Sequence, residues 1–153
     1  MNSILIEKAR NADVKAMARC AQKAYGHYIE RLGKEPGPMV DDYSVRVRDN
    51  DAFVVRRNSE VIGFLVLVMD EFCCLLDNVA VDPEYAGDGI GKKLVQFAEN
   101  QAREKGYAEL ELYTHERMTE NIAMYLKWGY VIDRYIHEKG FDRVYMIKNL
   151  VMD

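Results

Sequence analysis

Apolar residues recur along this chain with two periods, and the element type changes where one period gives way to the other. Ile4 to Ile6 reads as a short strand. Val14, Met17, Ala18, Ala21 and Tyr25 then follow the 3.6-residue spacing of a helix, with Asn11 placed to cap it. Gly26 loosens that helix, and His27 to Leu32 adds one or two turns before Gly33. Pro36-Gly37-Pro38 forces a turn. From Met39 to Arg48 both periods fit: Val40, Tyr43 and Val47 suit a helix, while Tyr43, Val45 and Val47 suit a strand. Asp41 and Asp42, acids suited to a first helical turn, favour the helix.

From Ala52 the period is that of sheet. Phe53 to Arg56 is a strand, Asn58-Ser59-Glu60 a hairpin turn, and Val61 to Met69 a strand apolar on both faces and therefore central. Asp70-Glu71 turns the chain into Cys73 to Val81, where Val79 and Val81 read as core side chains. A helix from Gly89 to Lys105 buries Ile90, Leu94, Phe97, Ala98 and Ala102 and stops at Gly106. Ala108 to Thr114 alternates, with Ala108, Leu110 and Leu112 on one face and Glu109, Glu111 and Tyr113 on the other. Thr119 caps a helix from Glu120 to Trp128, ended by Gly129. Strands Tyr130 to Ile136 and Phe141 to Ile147 close the chain across the turn Glu138-Lys139-Gly140. This order of elements predicts one domain over residues 1–153 around a mixed α/β sheet.

The stretch richest in chemistry joins the fourth strand to the long helix: Asp77-Asn78-Val79-Ala80-Val81-Asp82-Pro83-Glu84-Tyr85-Ala86-Gly87-Asp88-Gly89-Ile90-Gly91-Lys92-Lys93. Three glycines at alternate positions let the backbone bend tightly and approach a ligand closely. The helix that follows opens with N–H groups lacking an intrahelical partner, at the positive end of its macrodipole, and Lys92 and Lys93 add charge. That combination suits a phosphate. A Walker loop requires a glycine where Ala86 stands and a hydroxyl where Lys93 stands; a dinucleotide fingerprint requires a third glycine where Lys92 stands. Neither fits. Ala86-Gly87-Asp88-Gly89-Ile90-Gly91 instead resembles the Gln/Arg-x-x-Gly-x-Gly/Ala pyrophosphate loop of the GNAT superfamily of acyl-CoA-dependent N-acetyltransferases, with Ala86 at the polar first position. A second segment, Asn121-Ile122-Ala123-Met124-Tyr125-Leu126-Lys127-Trp128-Gly129-Tyr130, resembles the superfamily's Asn…Ala…Tyr-x-x-x-Gly-Phe pattern, with Tyr130 for Phe and a shortened Asn-to-Tyr gap.

The resemblance implies the GNAT fold: a central, mostly antiparallel twisted sheet of about seven strands, a splayed parallel pair, and helices on both faces. It implies acetyl-CoA as cosubstrate and no metal. Ala86, Gly87, Asp88, Gly89, Ile90, Gly91 and Lys92 would hold the pyrophosphate. Val79, Ala80 and Val81 would lend backbone groups to the pantetheine arm, the amide of Val79 facing the thioester carbonyl, and Asn121 would belong to the same site. Tyr125 would protonate the departing thiolate. A phenol with a reference pKa near 10 is protonated at neutral pH and serves as an acid there; helical spacing equally allows Tyr125 to pack with Ile122 and Leu126. For the base that takes the ammonium proton, the candidates are Glu111, Asp77, His115 or an ordered water. Tyr25, Tyr28 and Arg31, followed by Pro36-Gly37-Pro38, would line an acceptor pocket suited to a carboxylate-bearing substrate, or would pack the helix on the sheet.

Composition narrows the partners. With 49% hydrophobic and 30% charged residues the chain is an ordinary globular one. A net charge of −4 without a basic block speaks against nucleic acid. No leader is apparent, and Val61 to Met69 is too short an apolar run to span a bilayer. Cys20, Cys73 and Cys74, odd in number and without CxxC spacing, read as buried thiols of a reducing compartment, hence the cytoplasm. The expected partner is a primary amine on a small molecule or peptide, acetylated by direct transfer in a ternary complex, and a homodimer stays open. Two further classes remain: a non-catalytic acyl-CoA-binding domain and an interaction protein on the same fold.

Overall fold

The computed structural model describes residues 4–151. Seven strands form one mixed sheet: β1 (Ile4–Lys8), β2 (Ala52–Arg57), β3 (Glu60–Met69), β4 (Cys74–Val81), β5 (Glu109–His115), β6 (Val131–Glu138) and β7 (Phe141–Asn149), in the order β1-β2-β3-β4-β5-β7-β6. The helices are α1 (Val14–Tyr25), α2 (Ile29–Leu32), α3 (Gly37–Val40), α4 (Tyr43–Arg48), α5 (Ile90–Glu104) and α6 (Thr119–Lys127). β1, β2 and β3 run antiparallel, as do β5, β7 and β6; β4 and β5 are the parallel pair. That parallel ladder covers only Leu75 and Leu76 against Glu111 and Leu112.

The chain divides into two compact units, one formed by residues up to Leu67 with Asn78–Phe97, the other by Val68–Asp77 with the residues from Ala98 onward. In the first, β3 is buried without a break from Ile62 to Leu67, as its unbroken apolar run predicts. Met17, Cys20 and Ala21 of α1, Val54 and Val55 of β2, and Leu94 and Val95 of α5 complete this core. Tyr43 meets Phe64, and Phe53 meets Phe97, edge to face at 5.0 Å. A buried fork ties α1 to the sheet. Arg56 donates to both carboxylate oxygens of Asp13, at 2.9 and 2.7 Å, and its Nε to Glu7 at 2.5 Å. The second unit buries Leu110, Leu112 and Thr114 of β5 against Val144 and Met146 of β7, with Ala98 and Ala102 of α5. Alternation in β5 is therefore as expected, although Glu111 and Tyr113 on its polar face are half-buried.

Four local expectations are corrected. Asn11 does not cap α1; it begins a short 3₁₀ turn, and Asp13 accepts from the Arg10 amide at 2.8 Å instead. Thr119 lies inside α6, whose N-cap is Met118 with no side-chain cap. Pro36 is the N-cap of α3, so the Pro-Gly-Pro turn winds into a helical turn, Pro38 being tolerated where no N–H is needed. The predicted helix from Met39 to Arg48 is broken at extended Asp41. Asp42 then caps α4 by accepting from Ser44 N at 3.1 Å. Short polar side chains compete for local amides, and composition does not say which one wins.

Candidate active site

In the first unit the end of β4 alternates: Asn78 and Ala80 are buried, while Val79 and Val81, expected as core side chains, are only half-buried. The buried amide of Asn78 organises this stretch. Its Nδ2 donates to the Tyr43 hydroxyl at 2.9 Å, which in turn donates to the Pro38 carbonyl. The Tyr25 hydroxyl lies 2.7 Å from both Asn78 Oδ1 and the Val79 carbonyl oxygen, the two acceptors for its proton. Beside this stretch stands Gly63 of β3. A Cβ there would lie 2.8 Å from the Ala80 carbonyl oxygen and 3.0 Å from Val55 Cγ1. Real Cβ atoms do not approach backbone that closely, so only glycine lets β3 and the Ala80 carbonyl meet. An isolated glycine in an apolar strand is the signal that marks such a contact in a sequence.

After β4, Asp82 caps a 3₁₀ turn over Pro83–Tyr85 by accepting from Glu84 N at 3.0 Å, and Ala86 is extended. Gly87 and Gly89 have φ of +91° and +76°, and a Cβ at either would meet nothing. Glycine is needed there for backbone conformation, not for room. Gly91, by contrast, lies in the first turn of α5 with ordinary space around it, its nearest contact being Val81 Cγ2 at 3.8 Å. The first donation back along α5 is from Lys93 N to the Gly89 carbonyl at 3.1 Å. The amides of Ile90, Gly91 and Lys92 therefore precede the helical ladder. Lys92 is exposed, and Asp88 pairs with Arg57 Nη1 at 3.2 Å. The geometry is that of an anion cradle built from main chain.

The residues predicted for the acceptor divide. Tyr28 is buried, with the Arg31 guanidinium 5.1 Å from its ring centroid, so these two do sit together. Tyr25 reaches β4 through its hydroxyl, as above.

In the second unit, the polar face of β5 carries a string of paired groups. Tyr113 donates to Asp77 Oδ1 at 2.9 Å, and burial beside that carboxylate raises the phenol's pKa. Glu111 is ion-paired with Arg134, whose guanidinium lies 4.3 Å from the Tyr145 ring centroid. His115 Nδ1 accepts from Arg117 N at 3.0 Å, and burial lowers the imidazole's pKa. On α6, Asn121 Nδ2 points to Met118 Sδ at 3.6 Å. Tyr125 is 8% exposed, and its ring meets those of Trp128 and Tyr130 edge to face at 5.8 and 5.9 Å. Among the described residues its hydroxyl has no hydrogen-bond partner, and the one fully sealed side-chain nitrogen or oxygen without a partner is Arg57 Nε. Burial of the Tyr125 ring pushes its pKa up to about 12.

The comparisons with known proteins agree with this architecture. The chain belongs to the acetyltransferase (GNAT) family, whose model matches residues 15–130. The spermidine N(1)-acetyltransferase of Thermoplasma acidophilum is 32% identical over 76 residues, 50% of this chain and 47% of that protein. The [ribosomal protein bS18]-alanine N-acetyltransferase of Escherichia coli is 30% identical over 80 residues, 51% of this chain and 53% of that protein. The chain thus spans about half the length of the curated relatives it matches. Among solved structures, the PaiA N-acetyltransferase of Thermoplasma acidophilum in complex with coenzyme A superposes with a TM-score of 0.73. It is 26% identical, and the match covers 96% of this chain and 99% of that one. The seven-stranded sheet with its parallel β4–β5 pair is the GNAT fold.

Proposed function

We propose that this chain is an acetyl-CoA-dependent N-acetyltransferase that moves the acetyl group to a primary amine of a small molecule or peptide by direct transfer. The observation that carries the reading is the cradle at Gly87–Lys92, two left-handed glycines leading into free first-turn amides, in a chain of this family. The loop from Ala86 to Lys92 holds the pyrophosphate, and Val79 to Val81 run along the pantetheine arm. The Val79 amide donates where the carbonyl oxygen gains charge. A donor so placed favours the tetrahedral intermediate over the ground state.

The amine nitrogen attacks the acetyl carbon, the C–S bond breaks as Tyr125 gives its proton to the leaving thiolate, and the N–H proton shed as the amide forms passes through water to restore the Tyr125 phenol. A phenol raised to about 12 stays protonated across the working pH range, as an acid must. The ammonium proton has to leave before attack. Glu111, the carboxylate named for this step, already neutralises Arg134, so we assign the step to water, with Glu111 receiving the proton only when that pair opens. No metal takes part in this scheme. Tyr28 and Arg31 remain the acceptor-side groups, and Tyr25 holds the end of β4 through its hydroxyl. The cytoplasm remains the proposed setting, and no described helix is long and apolar enough to cross a membrane.

A ligand that binds only the folded chain raises stability by RT ln(1 + [L]/Kd), about 2.7 kcal/mol at a hundredfold excess over Kd. Melting should therefore shift upward with acetyl-CoA, and thiol release should follow when an amine panel is added. Binding without thiol release from any amine would make the chain an acyl-CoA-binding domain, and no shift at all an interaction protein.

A further inference from the structure

The second unit buries a charge network that the proposed reaction does not use. Glu99 of α5 is 5% exposed, and Lys148 of β7 donates to its two carboxylate oxygens at 3.1 and 3.3 Å. The remaining partner is the Tyr130 hydroxyl, which donates to Glu99 Oε2 at 2.8 Å from a side chain that is 1% exposed. A buried ion pair is weak evidence of stability, because removing two charges from water offsets most of their attraction. A hydrophobic core would hold this region as well. What the network does is fix one ring.

That ring is tied to Tyr125 twice. α6 ends at Lys127 with Trp128 as its C-cap, and the next residue, Gly129, at a φ of +98°, donates its amide to the Leu126 carbonyl at 3.2 Å. The Tyr130 amide donates to the Tyr125 carbonyl at 3.0 Å. This is the paired closure of a helix C-terminus in which the second residue past the end reaches back to the last turn. The Tyr130 ring then meets the Tyr125 ring edge-on at 5.9 Å, with Trp128 edge-on at 5.8 Å. Lys148 approaches the same turn, its Cε standing 3.3 Å from where a Cβ on Gly129 would be. The connection Lys148–Glu99–Tyr130–Tyr125 thus runs from two core elements to a phenol whose own hydroxyl has no partner to orient it.

We infer that Tyr130 is a positioning residue for the proton donor Tyr125, with Glu99 and Lys148 holding Tyr130 in place. The inference rests on reading Tyr125 as the donor. A hydroxyl without a partner depends on its ring for aim, and a ring bounded by two aromatic edges is aimed by whatever fixes those edges. A phenylalanine at position 130 would fill the same space and leave that edge unanchored.

The test is a double-mutant cycle on Tyr125→Phe and Tyr130→Phe, with kcat and both KM values measured. Tyr130→Phe alone should lower kcat by about tenfold, the order expected when a reacting group is slightly misplaced, with both KM values unchanged. In the Tyr125→Phe background it should lower kcat no further, since a residue acting through another has nothing left to act on. Equal losses in the two backgrounds would assign Tyr130 to the fold and overturn the inference. So would a fully active Tyr130→Phe beside a crippled Tyr125→Phe, which leaves the donor reading standing. An active Tyr125→Phe defeats both readings. Where Tyr130→Phe folds poorly, Glu99→Gln and Glu99→Leu take its place. The amide still accepts from Tyr130 and should keep kcat near wild type, whereas the leucine should reproduce the tenfold loss; indistinguishable kcat values in these two overturn the inference as well.

Discussion

The two places where the proposed reaction leans on the protein are made of different material. At Gly87–Lys92 the working groups are main-chain amides, and the side chains matter only by being absent. At Tyr125 the proposed chemistry falls to one hydroxyl, and its ring lies against the rings of Trp128 and Tyr130 just past α6. The first kind of site is sensitive to φ and indifferent to most side-chain chemistry; the second reverses both. Ala86 illustrates the first: it stands where the family pattern has a polar side chain, yet the amides beyond it are unaffected. Glu99 illustrates the second, since a residue 31 positions from Tyr130 in sequence accepts its hydroxyl beside the proposed proton donor.

The comparison breaks most readily if scaffold and chemistry turn out to be inseparable, so the largest expected effect is on the scaffold. Asp13→Ala leaves Arg56 buried with one partner fewer. Breaking such a pair should cost about 3 kcal/mol in a denaturation measurement, with kcat at 20 °C below the melting point unchanged. The Arg56 hydrogen bonds hold the Asp13 carboxyl below the usual Asp value of about 3.9. Its contribution is therefore fully present above that pH and is lost as pH falls through the folded value. Wild type and Asp13→Asn should accordingly converge in melting temperature as pH falls below about 4. A constant gap between them down to pH 2 would show that the fork acts by packing alone.

Next in size is Tyr125→Phe. Loss of a general acid should lower kcat by about a hundredfold, within the usual range for such groups, with acetyl-CoA affinity and melting temperature near wild type. Because the phenol is raised to about 12, the wild-type profile should carry no alkaline limb from this group below pH 11. A limb near pH 10 that disappears in the variant would place Tyr125 in a wetter setting than the structure does.

The smallest effect sharpens the other side. Gly89→Ala imposes a left-handed conformation on a residue with a Cβ, at a cost of about 1–2 kcal/mol. It should weaken acetyl-CoA binding by about tenfold, read by calorimetry. Gly91→Ala, in helical backbone with room for a methyl, should bind like wild type. If both bind alike, φ is not what the loop supplies.

Much of this was legible in the linear pattern. Hydrophobic patterning, an unbroken apolar run in β3 among it, located the seven strands and the long helices, because burial constrains which positions are apolar. The loop was marked by Gly87, Gly89 and Gly91, of which Gly87 and Gly89 adopt the left-handed backbone that glycine carries in its own identity, while Gly91 lies in ordinary helical backbone. Gly63, an isolated glycine in β3, was not singled out in the linear pattern, and its partner, the Ala80 carbonyl, is visible only in the folded chain. Caps were the weakest point. No side chain caps α1: the Asp13 carboxylate, held by Arg56, accepts from the Arg10 amide before the 3₁₀ turn.

Sequence alone determined the order and type of the elements, the family pattern, and the positions where main chain must bend, all of them consequences of near neighbours. The tertiary structure alone decided who pairs with whom. Tyr25 is spent on Asn78 and Val79, 53 and 54 residues away, and Glu111 is taken by Arg134, 23 residues away. Tyr130 is anchored on Glu99 because strand order brings β7 and α5 to the end of α6. A side chain's chemistry is set by the groups within about 3 Å of its polar atoms, and a linear chain does not record which distant groups those will be.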